Sequence, residues 1–252
     1  MKVFGDQYSQ YYNLLYSDKD YPGEARYIDE LIQRYSPNAR TLLDLGCGTG
    51  RHDECLRDLD YQVHGVDGSG DMLQIARRAA DGVSLQYTEG DVRSVRLQQK
   101  FNAVVSLFHV MSYQTSNSDL IQAFITAREH LLPGGVFIFD CWYGPAVLTD
   151  RPVVRIKRLE NERLEVTRIA EPLMHPMENV VDVNYHLFIR DKQNDSVAEY
   201  KELHKMRYLF SPEVEWMLDQ AGLVLSDSFE FLTGRTPGYD TWGVCFVAKR
   251  KE

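Results

Sequence analysis

Residues 42–50, Leu-Leu-Asp-Leu-Gly-Cys-Gly-Thr-Gly, carry the clearest chemistry in this 252-residue chain. A short apolar run ends in Gly46, Gly48 and Gly50, and a polar, helix-compatible segment (51–60) follows. Glycines so placed let the backbone turn sharply and let a ligand lie directly against it. The helix beyond aims free N–H groups and the positive end of its dipole at the bound group. A dinucleotide fingerprint would read G-x-G-x-x-G, with a pyrophosphate on the helix N-terminus. Here the spacing is G-x-G-x-G, position 51 is Arg, and Asp44 sits in the strand end. A carboxylate there repels a pyrophosphate and suits an ammonium group. The plainer alternative is a strand–turn–helix with glycine caps. Asp67 follows Gly46 at the roughly 20-residue step from which an acidic residue reaches ribose hydroxyls in a nucleotide-binding βαβ unit. A helix N-cap is the other reading, since Gly68-Ser69 comes next.

S-adenosylmethionine offers an ammonium, a sulfonium and no phosphate. The stretch 44–50 closely resembles motif I of the class I S-adenosylmethionine-dependent methyltransferases, and the resemblance extends over most of the chain. It implies that Asp44, Gly46, Cys47, Gly48, Thr49, Gly50, Asp67 and Gly68 surround the cofactor. By the same resemblance Met72 flanks the adenine, although a Met at helical spacing is more often core. Asp91 takes the family's acidic position on the adenine amino group, with Val92 supplying an amide; a turn-forming Asp is the alternative. Leu107 and Phe108, at the end of strand four, complete the cofactor set.

The first 21 residues hold Tyr8, Tyr11, Tyr12, Tyr16 and Tyr21, interleaved with Asp and Ser. They read either as a helix packing tyrosines on the surface or as a lid. Tyrosine suits a lid, having an apolar body, an orienting hydroxyl and a π-face attractive to a sulfonium. Residues 11–16 (Tyr-Tyr-Asn-Leu-Leu-Tyr) with Asp20-Tyr21 resemble the N-terminal cap of small-molecule methyltransferases, including those acting on nucleotide-linked amino sugars. That places Tyr11 and Tyr21 with the cofactor and Tyr12 near the substrate.

These residues need a framework to converge. Strands are expected at 41–45, 62–66, 83–87, 102–107 and 136–139, alternating with helices at 22–36, from Ser69 and at 119–132. The run 102–107 is nearly continuous in apolar residues, as in a parallel strand covered on both faces. Ligands in such sheets bind outside the carboxyl ends of the strands, so the loop 108–113 (Phe-His-Val-Met-Ser-Tyr) faces the reaction. His109 there has the right acid–base range to take a proton from an amine or hydroxyl nucleophile, or it only orients substrate. Tyr113 is a further substrate contact. The turn Leu-Leu-Pro-Gly-Gly (131–135) before a strand is another family resemblance.

From 145 to 207 the pattern changes to period-2 runs (153–159, 164–169, 181–189 and 197–206), read as an inserted antiparallel set. His186 and His204 lie in this lobe, and their strand phase is open. Arg151, Arg155, Lys157 and Arg158 form a local basic cluster, and Arg235 lies in the last hairpin. Arg155, Arg235 and His186 are the substrate candidates, for a pyrophosphate if the acceptor is a sugar nucleotide; solvated surface charge is the alternative. Ser211-Pro212-Glu213 reads as a cap and first helical turn, and strands at 223–231 and 241–248 close the sheet.

The expected fold is therefore α/β: a doubly wound, mostly parallel seven-stranded sheet with an antiparallel β insertion over the site. Residues 1–37 form the lid, 38–144 and 208–252 the cofactor domain, and 145–207 the substrate lobe. The net charge of −9, with no Lys/Arg block, argues against nucleic acid and anionic membrane as partners. No run reaches the ~20 apolar residues of a membrane span. Four scattered cysteines read as reduced thiols in a cytoplasmic protein. No metal site is expected, and a homodimer is left open. The reading is methyl transfer to an amine or hydroxyl of a small molecule by in-line displacement. The alternatives are another small metabolite as acceptor, a nicotinamide-dependent oxidoreductase, or a non-catalytic cofactor-binding module.

Overall fold

The computed structural model describes residues 11–12 and 14–251. Expectations that fall on residues 1–10 and on Asn13, Tyr8 among them, lie outside the described residues. Strands β1 (Thr41–Leu45), β2 (Gln62–Asp67), β3 (Leu85–Glu89), β4 (Phe101–Ser106) and β5 (Leu131–Tyr143) run parallel in the order β3-β2-β1-β4-β5. Strand β11 (Gly243–Arg250) pairs antiparallel with β5, and β10 (Leu223–Glu230) pairs antiparallel with β11. One strand of these seven is thus reversed.

Both faces of this sheet are covered, which is why its central strands carry so few polar residues. Helix α1 (Tyr21–Tyr35) places Ile28, Leu31 and Ile32 on one stripe, packed with Leu42, Leu56, Val105 and Ile138 on one side of the sheet. Asp20 caps it, accepting from Gly23 N–H at 2.9 Å. Helices α2 (Arg51–Arg57) and α3 (Gly70–Ala76) follow β1 and β2. Helix α4 (Asn117–His130) covers the other side, where Phe124, Phe137, Phe139 and Phe246 form an aromatic core.

Three expectations shift here. Strand β5 begins at Leu131, not 136, so Pro133-Gly134-Gly135 lies inside it at a register shift, with Gly134 at φ +77°. A short helix, α5 (Gly144–Thr149), follows where no helix was read. Helix α6 (Ser211–Gln220) starts at Ser211, but the cap is Phe210, whose N–H donates to Glu213 Oε1 at 3.0 Å. Glu213 reaches back as a capping side chain, a job expected of Ser211.

The insertion is a four-strand antiparallel meander: β6 (Arg155–Glu160), β7 (Leu164–His175), β8 (Val180–Asp191) and β9 (Ser196–Leu209). Its strands run past the apolar runs because backbone pairing continues through polar residues, as at Glu171↔Asn184. Strand β9 then joins β5 in parallel at Trp142↔Tyr208 and Tyr143↔Leu209, so the lobe is continuous with the main sheet. Residues 11, 12, 14 and 15 are helical. Leu15, fully buried, packs with Met72, Val166, Leu187 and Ile189, so three distant segments share one small core. Lys157 Nζ donates to the Leu15 carbonyl and to Asp18, both at 2.8 Å. Among the described residues no helix is long and apolar enough to cross a membrane.

Candidate active site

The turn after β1 holds its shape through three left-handed glycines: Gly46 at φ +94°, Gly48 at +57° and Gly50 at +76°. A Cβ on Gly46 would lie 2.5 Å from Val110 Cγ1, so the turn and the loop after β4 approach as closely as backbone permits. Asp67, at the end of β2, accepts from Gly48 N–H (2.8 Å) and from Ser69 N–H (2.7 Å). One carboxylate thereby fastens the glycine turn to the start of α3. Burial pushes its carboxyl above the usual carboxylate range despite these two donors. Each oxygen retains a lone pair. A partly buried carboxylate with unfilled acceptor capacity fits a pair of ribose hydroxyls.

The cavity in front of this cradle measures about 1150 Å³. Gly46, Cys47, Gly48, Thr49, Asp67, Gly68, Met72, Asp91, Val92, Leu107 and Phe108 all line it, with Tyr12, Tyr21, His109, Tyr113 and Arg155. Asp91 is also held by Arg93, whose backbone N–H (2.8 Å) and Nε (2.9 Å) both donate to Oδ1, so part of its acceptor capacity is already engaged. That guanidinium keeps the Asp91 carboxyl below the usual range.

Five expected residues lie elsewhere. Asp44 is 1% exposed beneath the turn, beside the buried Asp53. Burial and the Asp53 charge push its carboxyl well above the usual range, and burial lifts Asp53 to about 7. Asp44 lies beneath the turn and is not part of the cavity lining. Gly50 caps α2 and packs on Tyr87, 2.3 Å from its would-be Cβ. Tyr11 faces the insertion, its ring 6.4 Å from that of Tyr200. His186 points to the outer face of β8, where it meets Glu199 at 2.6 Å and Phe188; a strand's alternation put Tyr185, not His186, on the cavity. Arg235 is tied to Glu230 (2.6 Å) in the exposed β10–β11 hairpin.

His109 is built into an unusual backbone. It and Phe108 both adopt left-handed conformations (φ +64° each), costly for side chains of this size. The return is a double contact with Asp140 on β5: the His109 N–H donates at 3.1 Å, and Nδ1 lies 2.7 Å from Oδ2. Burial alone would raise the Asp140 carboxyl, but the adjacent His109 holds it below the usual range. The imidazole is therefore fixed by a buried carboxylate at the floor of the cavity.

The ceiling is aromatic. Tyr12 and Tyr16 pack at 4.7 Å, Tyr16 meets Phe108 edge-on at 5.0 Å, and Lys19 Nζ sits 4.2 Å above the Phe108 ring. The far wall comes from the insertion: Arg168, Tyr185, His204 and Met206. Arg168 Nη1 donates to the Tyr16 hydroxyl at 3.1 Å and its Cζ lies 4.8 Å from the Tyr185 ring. Sequence reasoning placed Tyr16 in the lid and missed Arg168, Tyr185 and the role of Asp140 in holding His109. Only the phase of β7 to β9 could have selected the first strand residues, and long period-2 runs with mixed polarity do not fix that phase.

Comparison with known proteins agrees with this geometry. A methyltransferase-domain family model matches residues 42–135, the cradle and its flanking strands. The chain is 30% identical, over 93% of its length and 89% of the relative's, to a dTDP-3-amino-3,6-dideoxy-α-D-glucopyranose N,N-dimethyltransferase of Streptomyces fradiae. It is 31% identical, over 90% and 92%, to the dTDP-3-amino-3,4,6-trideoxy-α-D-glucopyranose N,N-dimethyltransferase of Streptomyces venezuelae. Among solved structures, Streptomyces venezuelae DesVI superposes with a TM-score of 0.81 at 27% identity, covering 99% of each chain. A sugar N-methyltransferase from Streptoalloteichus shares the fold, with a TM-score of 0.83 at 24% identity over 100% of this chain and 97% of that one. With this glycine cradle and relatives at least 30% identical over at least 90% of its length, this chain belongs to the class I S-adenosylmethionine-dependent methyltransferases.

Proposed function

We propose that the methyl acceptor is the amino group of a nucleotide-linked deoxy sugar. The observation that carries this reading is the reach of the cavity. At about 1150 Å³ it exceeds the ~300–1,000 Å³ of a pocket for one ligand, and it continues from the cradle to a wall bearing Arg155 and Arg168. Relatives that are dTDP-amino-sugar N,N-dimethyltransferases support the same acceptor.

When bound, S-adenosylmethionine supplies a methyl group already activated by its sulfonium. The chain's own residues bind, orient and exclude water. Asp67 accepts from the ribose hydroxyls, while Met72 and Leu107 flank the base and Val92 offers an amide. Asp91 takes part through the acceptor capacity that Arg93 leaves. Tyr12, Tyr16 and Tyr21 close over the site and present aromatic faces to a cation. His109, immobilised by Asp140, touches the acceptor and sets its angle of approach. Arg155 and Arg168 receive the phosphates. In this division of labour the tyrosine segment ahead of α1 forms the lid, α1 packs with the cofactor domain of 38–144 and 208–252, and 145–207 select the acceptor.

The reading also includes a homodimer, supported by the edge strand β6, whose flank exposes Val153, Val154 and Ile156. Sedimentation velocity reads this directly, and a monomer at all concentrations removes it. Four cysteines without disulfides suit a cytoplasmic setting. The acceptor is tested by incubating the purified protein with S-adenosylmethionine and dTDP-3-amino-3,6-dideoxyglucose. Mass spectrometry should find one or two methyl groups on nitrogen. Tight cofactor binding with no methylated product from this or related amino sugars would refute the acceptor.

A further inference from the structure

A chain of polar side chains leads from the cavity into the insertion, apart from His109. The Tyr113 hydroxyl lies 2.8 Å from His204 Nδ1, and His204 Nε2 lies 2.9 Å from Glu202 Oε2. Tyr113 comes from the 3-10 turn Val110–Tyr113. His204 and Glu202 both come from β9, two residues apart and so on one face of the strand. Tyr113 and His204 line the cavity. His204 is 2% exposed, its ring edge-on to Tyr185 at 4.7 Å. The other titratable groups facing this chain are Tyr185, Arg168, Tyr12, Tyr16 and Asp67.

The bonding pattern sets a direction. An ionised Glu202 can only accept, so His204 Nε2 carries the proton and Nδ1 accepts from the Tyr113 hydroxyl. That is the tautomer of a general base aimed through a tyrosine at the cavity, with a carboxylate behind it. An amine acceptor needs such a device. An ammonium has no lone pair to attack with, and each methyl transfer to nitrogen leaves one proton to be removed before another can follow.

We infer that Tyr113, His204 and Glu202 form a proton relay that deprotonates the acceptor nitrogen, with Tyr113 touching the acceptor and His204 and Glu202 acting through it as positioning residues. The inference rests on the amine reading above. In the step, an acceptor N–H bond breaks and its electron pair stays on nitrogen. The proton goes to the Tyr113 oxygen while the Tyr113 O–H proton passes to His204 Nδ1. The acceptor leaves as a neutral amine, Tyr113 is unchanged, and the imidazolium is held by the Glu202 carboxylate. Burial pushes the Tyr113 phenol well above its usual range, so a phenolate is not a resting point and the two proton shifts are coupled. His109, bound to Asp140, is left with orientation of the acceptor.

His204→Gln keeps a donor toward Glu202 but cannot take a proton. With dTDP-3-amino-3,6-dideoxyglucose as acceptor, its single-turnover rate at pH 7 should fall about 10²-fold. The acceptor KM and the S-adenosylmethionine Kd should stay within twofold, and the deficit should shrink as pH rises and the amine becomes neutral unaided. Tyr113→Phe should show the same pH signature, and Glu202→Gln a milder one. A deficit equal at every pH, or one confined to KM, would overturn the relay in favour of a structural contact. A second readout needs no acceptor: nitrogen-15 NMR of the histidines in the S-adenosylhomocysteine complex at pH 8. The proton on His204 should sit on Nε2, and a proton on Nδ1 overturns the relay. If the wild type methylates no amine, the acceptor reading fails by itself, while the tautomer still decides whether the relay is built as described.

Discussion

The two halves of the cavity are made of different materials. The cofactor half is largely backbone: left-handed glycines, a carboxylate bonded to two N–H groups, and strand ends brought together by parallel pairing. The acceptor half is largely side chain: tyrosines from the N-terminal segment, Arg168 and Tyr185 from the insertion, and a histidine braced by a carboxylate of another strand. Backbone geometry tolerates few sequences, so the cofactor half is stereotyped. Side-chain walls can be rebuilt residue by residue, so the acceptor half is where relatives can diverge.

Substitutions in the two halves should therefore separate cleanly. The largest effect is expected at Gly46→Ala, which combines ~1–3 kcal/mol of left-handed strain with a would-be Cβ 2.5 Å from Val110. S-adenosylmethionine affinity should drop ~10²-fold or more by calorimetry, equivalent to ~2.7 kcal/mol; a variant that binds normally would show that the cradle yields more than its backbone suggests. His109→Ala should lower kcat by ~10²-fold through a misoriented acceptor, leaving cofactor affinity nearly intact. It also strands the buried Asp140. In the folded wild type His109 depresses that carboxyl, so the pair's contribution to stability is full above the unfolded carboxylate range and lost as pH falls through the folded value. Thermal melts of the variant should lack that acid-side slope.

Asp67→Ala should cost ~1–3 kcal/mol of cofactor binding with little change in acceptor KM. In the free enzyme burial raises the Asp67 carboxyl, and two hydroxyl donors would lower it again. Affinity should then weaken as pH falls through the free-enzyme value, with proton uptake by the free form. Calorimetry in buffers of different ionisation enthalpy measures the proton released on binding; no linkage would remove Asp67 from the ribose. The smallest effects are expected at Arg155→Met and Lys157→Met, each worth ~0.2–1 kcal/mol as an exposed and a partly exposed charge. Arg155→Met should raise acceptor KM alone. Lys157→Met loosens the lid and should weaken both ligands slightly, which makes it the one variant that crosses between the halves.

This difference in material also decided what could be read from the sequence. The glycine spacing and the step to Asp67 are local, so the glycine turn, the mostly parallel sheet and the existence of the insertion were legible in the sequence. Asp44 was misjudged because its partner Asp53 lies a turn of chain away, and only three dimensions show the pair buried together. His186 and His204 were indistinguishable in a lobe whose strands carry mixed polarity on both faces; pairing with β7 and β9 fixed which one turned inward. Arg168 and Tyr185 gave no signal at all, being ordinary residues until a neighbouring segment lies across them.

The small core around Leu15 has a consequence for how the molecule assembles. Met72, Val166, Leu187 and Ile189 reach it from segments far apart in the chain, whereas β1, α2 and β2 meet within a few dozen residues. Long-range closure is entropically slower than local pairing. The nucleotide cradle should accordingly fold early and the acceptor wall late, giving a nascent protein able to hold its methyl donor before it can choose a substrate. Pulse-labelled hydrogen exchange during refolding should protect β1 and β2 ahead of β7 and β8, and simultaneous protection would contradict that order.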